Sequence, residues 1–231
     1  MQRRNFTSGV VCAGGMWALW AGPMAFAAGI TESDAALGMR AALERGAVSA
    51  IAQLGRSGGF LDNPKVHIPL PGFLSDAARL LRYTGQQKRI DELVIAMNRA
   101  AEAAVPQART LLINAVKAMS VEDGKQILTG GDNSVTQFFA SKTRAPLSVT
   151  FLPIVTKATE KVSLADKYNS VAGKAAGMGL LDKDDANIQQ YVTAKALDGL
   201  YLMIGEEERK IRKDPIGTGS AILQKVFGSL K

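Results

Sequence analysis

The chain has 231 residues, of which 47% are hydrophobic, 21% are charged and 6% are aromatic, which is typical of one soluble domain. A chain of this length buries enough surface to fold without a disulfide or a metal ion. One cysteine and one histidine exclude zinc ribbons, cysteine-rich scaffolds, haem-attachment motifs and histidine-rich metal cages. The sequence therefore predicts no metal centre and no cofactor.

The first 27 residues have the pattern of an export signal. Arg3 and Arg4 provide a positive start, an apolar run extends from Gly9 to Trp20, and Ala25-Phe26-Ala27 is an A-x-A cleavage pattern. The apolar run is shorter than the about 20 residues of a membrane helix, which favours cleavage near Ala27 over a retained anchor. The protein is thus predicted to be periplasmic or otherwise exported.

The segment Arg3-Arg4-Asn5-Phe6 resembles a twin-arginine signal. The glycine-diluted apolar run suits that route, whereas the lack of a basic residue near the cleavage site leaves the Sec route open. Cleavage removes two arginines and the one cysteine, Cys12, so the formal charge of +7 falls by 2 to +5. The mature chain then has no thiol, which excludes thiol catalysis, disulfides and thiolate metal sites.

After Ala28 the apolar residues recur at helical spacing, and no stretch alternates as a β-strand would. Cap residues, glycines and prolines divide the chain into predicted helices over Thr31–Leu54, Ser75–Gly85, Gln87–Met119 (kinked or split at Pro106), Ser120–Gly130, Asp132–Phe139, Pro146–Val162, Leu164–Gly177, Ile188–Arg212 and Ala221–Phe227. A loop over 58–64 and an extended, proline-flanked segment over 66–71 follow the first helix.

The helix predicted over 188–212 differs from the others because both of its sides are apolar. Between Ala196 and Ile204 only Asp198 is strongly polar, which is typical of a helix at the centre of a bundle. No internal repeat or linker interrupts the chain. Residues 28–231 are therefore predicted to form a single-domain, irregular all-α helical bundle with this helix at its centre.

Several familiar catalytic and metal patterns do not occur in the sequence. It has no S-x-x-K, no H-E-x-x-H and no Walker loop. His67 sits in the proline-flanked segment and is interpreted as a surface or packing residue rather than a base. The acidic run 182–187 lacks the ligand and glycine positions of a calcium loop and is interpreted as a helix cap.

Five polar residues form the candidate site: Asn98, Arg99, Glu102, Lys195 and Asp198. Burying the carboxylate of Asp198 alone would be costly, whereas Asn98 and Glu102 lie one turn apart beside an apolar stripe. We hypothesise that Asp198 meets Arg99 or Lys195 inside the bundle. Two interpretations stay open, a buried ion pair that fixes helix register and a ligand pocket.

The net positive charge of the mature chain makes anionic molecules candidate partners. Nucleic acid is disfavoured because the protein is predicted to be exported and its basic residues are not interleaved with aromatic ones. For the amphipathic segment Ile222–Phe227 two alternatives remain, a weak contact with a membrane surface and docking on the protein's own core, which is favoured.

A series of short motifs is spread over nearly the whole mature chain. These are Phe60-Leu61-Asp62-Asn63-Pro64, Ile68-Pro69-Leu70-Pro71, Met97-Asn98-Arg99-Ala100-Ala101-Glu102, Val105-Pro106, Phe151-Leu152-Pro153-Ile154-Val155, Tyr191-Val192-Thr193, Lys195-Ala196-Leu197-Asp198-Gly199-Leu200, Glu206-Glu207-Glu208 and Ile211-Arg212. Because these motifs occur in this order, the sequence from Ala36 to Gly228 resembles the exported bacterial family called domain of unknown function 4197. The resemblance implies a helical, envelope-located domain without an established activity, substrate or cofactor.

From these observations we expect an exported all-α protein that acts by binding, as an envelope accessory or scaffold. Its partner would be an unidentified envelope protein or a small ligand. One alternative is a carboxylate-dependent hydrolase or lyase with a cleft at Glu102, Lys195 and Asp198. Another is a peripheral binder of anionic envelope surfaces.

Overall fold

A computed structural model describes residues 32–72, 74–75, 78, 85, 87–131, 134–179 and 186–214. They form α1 (Glu32–Leu54), α2 (Gln87–Ala104), a short 3-10 helix (Val105–Gln107), α3 (Ala108–Lys117), α4 (Val121–Thr129), α5 (Ser134–Thr159), α6 (Ser163–Gly177) and α7 (Ile188–Lys213). These residues contain no β-strand and share one hydrophobic core, which confirms the all-α prediction. The predicted signal, the terminal helix over 221–227 and most of the helix over 75–85 lie outside the described residues.

The helix α7 lies at the centre of the bundle, as its apolar sequence predicts. It packs against α5, α1 and α2 and buries Val192, Ala196 and Leu200 completely. Asn187 precedes it, and its Oδ1 accepts the backbone N–H groups of the second and third helical residues at 2.9 and 3.1 Å. This side chain is therefore an N-cap, as predicted for the end of the acidic run.

Prolines have different effects in the two long helical segments. Pro106 replaces one turn of α-helix by the 3-10 turn between α2 and α3, as predicted. Pro146, in contrast, lies inside a continuous α5, so the prediction of separate helices on either side of residues 140–145 is wrong. A proline inside a helix costs about 3 kcal/mol, and α5 contains two, Pro146 and Pro153. The same helix buries Phe139, Leu147, Phe151 and Val155 completely, and each such side chain contributes about 1.5–3 kcal/mol. Packing thus offsets the local penalty.

The loop between α1 and α2 approaches α7 closely at a glycine. A Cβ added to Gly199 would lie 2.8 Å from Cε1 of Phe60, whose side chain is fully buried. Real side chains do not approach so closely, so the absence of a side chain at this position lets the loop pack directly on α7. This contact places the loop, residues 55–71, beside the polar side chains of α2.

Candidate functional site

Two buried polar side chains on α2 face the loop 55–71. Asn98 is completely buried and Glu102 is 5% exposed, whereas polar residues of this kind usually remain in contact with water. They lie one helical turn apart, so they project from the same side of α2. We call residues 55–71, which these side chains hold, the clamped loop.

Asn98 pairs with the backbone of the clamped loop as a neighbouring β-strand would. Its Oδ1 accepts the N–H of Ile68 at 2.9 Å, and its Nδ2 donates to the carbonyl oxygen of the same residue at 3.0 Å. The second Nδ2 hydrogen is donated to the carbonyl of Val94 at 2.9 Å. Both amide donors of Asn98 are therefore used, and the loop backbone is satisfied without a strand partner.

Glu102 holds the turn at the start of the clamped loop. Its Oε1 accepts the N–H groups of Phe60 at 3.0 Å and Leu61 at 3.1 Å, and its Oε2 accepts from Nη1 of Arg99 at 2.6 Å. The same nitrogen of Arg99 donates to Oγ of Ser57 at 2.7 Å. The carboxylate is thus bonded on both oxygens, and three of the four hydrogen bonds of this network, those to Phe60, Leu61 and Ser57, reach residues of the loop.

These contacts set the charge of Glu102. Burial raises the pKa of its carboxyl group, but the N–H groups of Leu61 and Phe60 and the Arg99 guanidinium more than offset this effect. The pKa of Glu102 therefore lies below its ordinary value, and the group is ionised at neutral pH. A carboxylate in this state is a poor proton donor for catalysis.

The far end of the clamped loop is held by α7. The hydroxyl of Tyr191 donates to the carbonyl of Pro69 at 3.2 Å, and Nζ of Lys65 lies 2.7 Å from Oε2 of Glu206. His67 itself is exposed. The loop is therefore fixed from two helices while part of its surface, including the imidazole, remains in solvent.

A family model described as "Protein of unknown function (DUF4197)" matches residues 29–228. The chain belongs to this family. No curated protein and no solved structure matches the chain. The structure adds a spatial relation, because three of the motifs that carried the resemblance, over 60–64, 68–71 and 97–102, meet at the clamped loop.

The remaining candidate residues, Lys195 and Asp198, do not join this cluster. The side chain of Asp198 is 51% exposed, and its Oδ1 accepts from Nη2 of Arg144 on α5 at 2.6 Å. The hypothesis that Asp198 meets Arg99 or Lys195 inside the bundle is therefore wrong. Asp198 lies on a strip of α7 that is exposed to solvent, although its neighbours in the sequence are apolar and predict burial.

Lys195 is also exposed, with its Nζ 5.7 Å above the ring of Tyr191. Within the described residues, no hydrogen bond or ion pair joins Lys195 or Asp198 to Glu102. The five candidate residues thus divide into a loop clamp on α2, in which Asn98 and Glu102 are buried and the Arg99 side chain is 42% exposed, and two surface side chains on α7.

The start of the clamped loop has the spacing of a nucleophile elbow, because Gly55 to Gly59 spell G-x-S-x-G. Such an elbow joins a strand to a helix, whereas this segment follows α1. Oγ of Ser57 accepts a hydrogen bond from Arg99, a cation, and no hydrogen bond from Ser57 to a histidine or carboxylate occurs in the described part of the chain. The geometry therefore does not favour Ser57 as a nucleophile.

Sequence reasoning selected Asn98, Arg99 and Glu102 but missed their partners in the loop. Tyr191 and Ser57 were not among the candidates. A usable signal was the extended segment 66–71, whose backbone N–H and C=O groups have no strand to pair with and must find side chains.

Other common site types are not seen in the part of the chain that the structure describes. There, no three histidine, cysteine or acidic side chains come together in a group that could hold a metal ion. None of the helices searched there combines the length and the apolar character that a bilayer crossing requires.

Proposed function

We propose that this protein is an exported binding protein of the bacterial envelope and that the clamped loop is the surface that receives a protein partner. Export is supported by the signal-like pattern of residues 1–27. The binding role is supported by one observation above all, the use of the buried side chains Asn98 and Glu102 to hold a partly exposed loop.

A loop held in this way is ordered before a partner arrives. Binding normally costs free energy because loops and side chains lose conformational freedom, and a rigid loop reduces that cost. Loops positioned by a rigid scaffold are also common places for recognition. In the clamped loop Arg56, Asp62 and His67 are exposed, so they are available to a partner without rearrangement of the backbone.

The same contacts disfavour the enzyme alternative. A carboxyl group that acts as the general acid or base of a hydrolase or lyase needs access to the substrate and a pKa near the working pH. Glu102 is buried, is bonded on both oxygens and has a lowered pKa. Asp198 is paired with Arg144 at the surface, so the two carboxylates do not supply a common cleft.

The proposal is tested by site-specific photo-crosslinking in the native envelope. A photoreactive amino acid replaces His67 in one variant and Lys167, an exposed residue of α6, in the matched control. We expect a discrete adduct from position 67 and none from position 167, and mass spectrometry then identifies the partner. Adducts of equal yield at both positions, or none at position 67, would overturn the assignment of the loop.

A second variant tests whether the hydrogen bonds that hold the clamped loop contribute to binding of the partner. Asn98→Ala releases Ile68 without changing any exposed side chain of the loop. We expect the adduct at position 67 to weaken in this background if the loop must be ordered for binding. An unchanged yield would show that the ordering of the loop does not contribute.

A further inference from the structure

A second surface, with no residue of the clamped loop, has the features of a small-molecule site. An open groove of about 470 Å³ lies between α4 and the start of α5. Its lining includes Gln126, Gln137, Ser141 and Phe138. Small-molecule sites commonly have volumes of about 300–1,000 Å³, so the groove is large enough for a ligand of that class.

The groove continues toward α3. A second depression of about 310 Å³, lined among others by Asn114 and Thr143, shares Asp123 and Phe138 with the first. Nζ of Lys142 lies 3.6 Å from Oδ1 of Asp123, where the two depressions meet. The two depressions together form the α4–α5 groove.

The charges of the described lining residues cancel. Among the described lining residues, Asp123 and Lys142 are the charged side chains, and they form an ion pair. The carboxylate of Asp123 also accepts from the N–H and the hydroxyl of Ser120, which with Lys142 more than offset the small effect of burial and hold its pKa below the ordinary value. The charged side chains among the described lining residues are therefore paired with each other and offer no unpaired charge to a strongly anionic or cationic ligand.

The polar groups of the groove are mainly amides. The side chains of Gln126, Gln137 and Asn114 make no hydrogen bond to other described residues. Each amide offers donors and an acceptor at the same position. A purely apolar ligand would bury these groups without partners, which costs free energy, whereas hydroxyl groups both donate and accept and would pair with them.

From this lining we infer that the α4–α5 groove binds a neutral, polyhydroxylated ligand, namely one or two sugar units. The inference goes beyond the proposed function and does not depend on it, because the groove and the clamped loop share no residue. The amides bind the hydroxyl groups. Phe138 is 7% exposed and Ile127 is 2% exposed, so the apolar contact that they offer to the carbon–hydrogen face of a sugar ring is small.

The test is a titration of the isotope-labelled full chain with two neutral disaccharides, chitobiose and maltose, followed by nuclear magnetic resonance. We expect saturable shifts of the side-chain amide signals of Gln126 and Gln137 with at least one of them. The shifts should persist in high salt, because the contacts are not between net charges. Absence of such shifts with both disaccharides, or shifts with an acidic disaccharide alone, would overturn the inference.

A pair of double variants distinguishes a loss of binding at the groove from a general effect of removing surface amides. Gln126→Ala with Gln137→Ala should weaken binding about tenfold, the loss expected for two neutral hydrogen bonds. Gln107→Ala with Gln190→Ala removes two exposed amides elsewhere on the surface and should leave the affinity unchanged. Equal affinities in the two double variants would contradict the site, while the crosslinking result at His67 would be unaffected.

If chitobiose binds, the source of the sugar is distinguished by co-sedimentation with insoluble chitin. Sedimentation of the wild-type chain but not of the Gln126→Ala, Gln137→Ala variant supports recognition of sugar units within a polymer. Binding of the disaccharide without sedimentation supports recognition of free sugar. Sedimentation of both proteins alike, without any shift in the titration, would count against the groove.

Discussion

Asn98 substitutes for a β-strand beside Ile68, accepting its N–H at 2.9 Å and donating to its carbonyl at 3.0 Å. The two residues are 30 positions apart in the chain. A single side chain thereby satisfies both hydrogen-bonding groups of a buried backbone position within a helical protein. The relationship explains how an extended, proline-flanked segment can pack against helices without a sheet.

The first prediction concerns this pair. Asn98→Ala leaves the buried N–H and C=O of Ile68 without their partner, so we expect a loss of about 2–4 kcal/mol in the free energy of unfolding. Chemical denaturation measures the loss, and Asn114→Ala, which removes an exposed amide, is the control. Similar stabilities for the two variants would show that the clamp contributes little.

The second prediction concerns the pH dependence that Glu102 causes. Since its pKa is lower in the folded than in the unfolded protein, its ionised form stabilises the fold above the ordinary value of 4.5, and this contribution is lost as the pH falls through the folded-state pKa. Glu102→Gln should therefore cost about 1–3 kcal/mol at neutral pH, with a smaller difference from wild type below pH 4.5.

Denaturation of both proteins across this pH range measures the effect. Glu160→Gln, a change at an exposed carboxylate after α5, serves as the control and should give a difference near zero throughout. A difference between wild type and Glu102→Gln that stays constant with pH would contradict the assigned ionisation.

The third prediction compares two glycines in helices. Gly199→Ala places a Cβ 2.8 Å from Phe60 and should destabilise the protein by about 1–3 kcal/mol through overpacking. Gly173→Ala in α6 meets nothing within 4 Å and should stabilise it by about 0.5–1 kcal/mol, since alanine favours helix. Thermal unfolding distinguishes the two. A stabilising effect at position 199 would mean that the loop can move away from α7.

The fourth prediction concerns Asp198. Because its side chain and that of Arg144 are 51% and 45% exposed, the ion pair is screened by water, and Asp198→Asn should change stability by less than about 1 kcal/mol. The change should shrink further in high salt. A loss as large as that of Glu102→Gln would restore the idea of a structural role for this carboxylate.

The fifth prediction concerns export. If the twin-arginine route is used, replacing Arg3 and Arg4 by lysines should block processing, because a receptor that reads two guanidinium groups does not accept ammonium groups in their place. Cell fractionation and the mass of the chain measure this outcome. Normal cleavage near Ala27 in the variant would assign the chain to the Sec route instead.

Part of the clamp could be predicted from the sequence. The spacing of Asn98 and Glu102 places them on one side of a helix, and their position beside an apolar stripe indicates burial. Their partners could not be predicted, since Phe60 lies 42 residues from Glu102 and meets it only when the loop folds back on α2.

Asp198 shows the opposite case. Its apolar neighbours predict a buried carboxylate, yet the strip of α7 that carries it faces solvent and the side chain of Arg144, 54 residues away. Helical periodicity locates a residue around the helix axis, but it does not determine which neighbouring helix covers that side. The exposure of Asp198 is therefore decided by packing.

By itself the sequence determined the helices of the described chain other than α5, the cap at Asn187 and the break at Pro106, because caps, prolines and apolar spacing act over a few residues. Tertiary structure alone decided that α5 continues through Pro146, that Glu102 binds the turn at Phe60, and that Asp198 stays at the surface. These outcomes depend on free energies of burial and on hydrogen bonds between distant segments, which come into existence only when the segments meet.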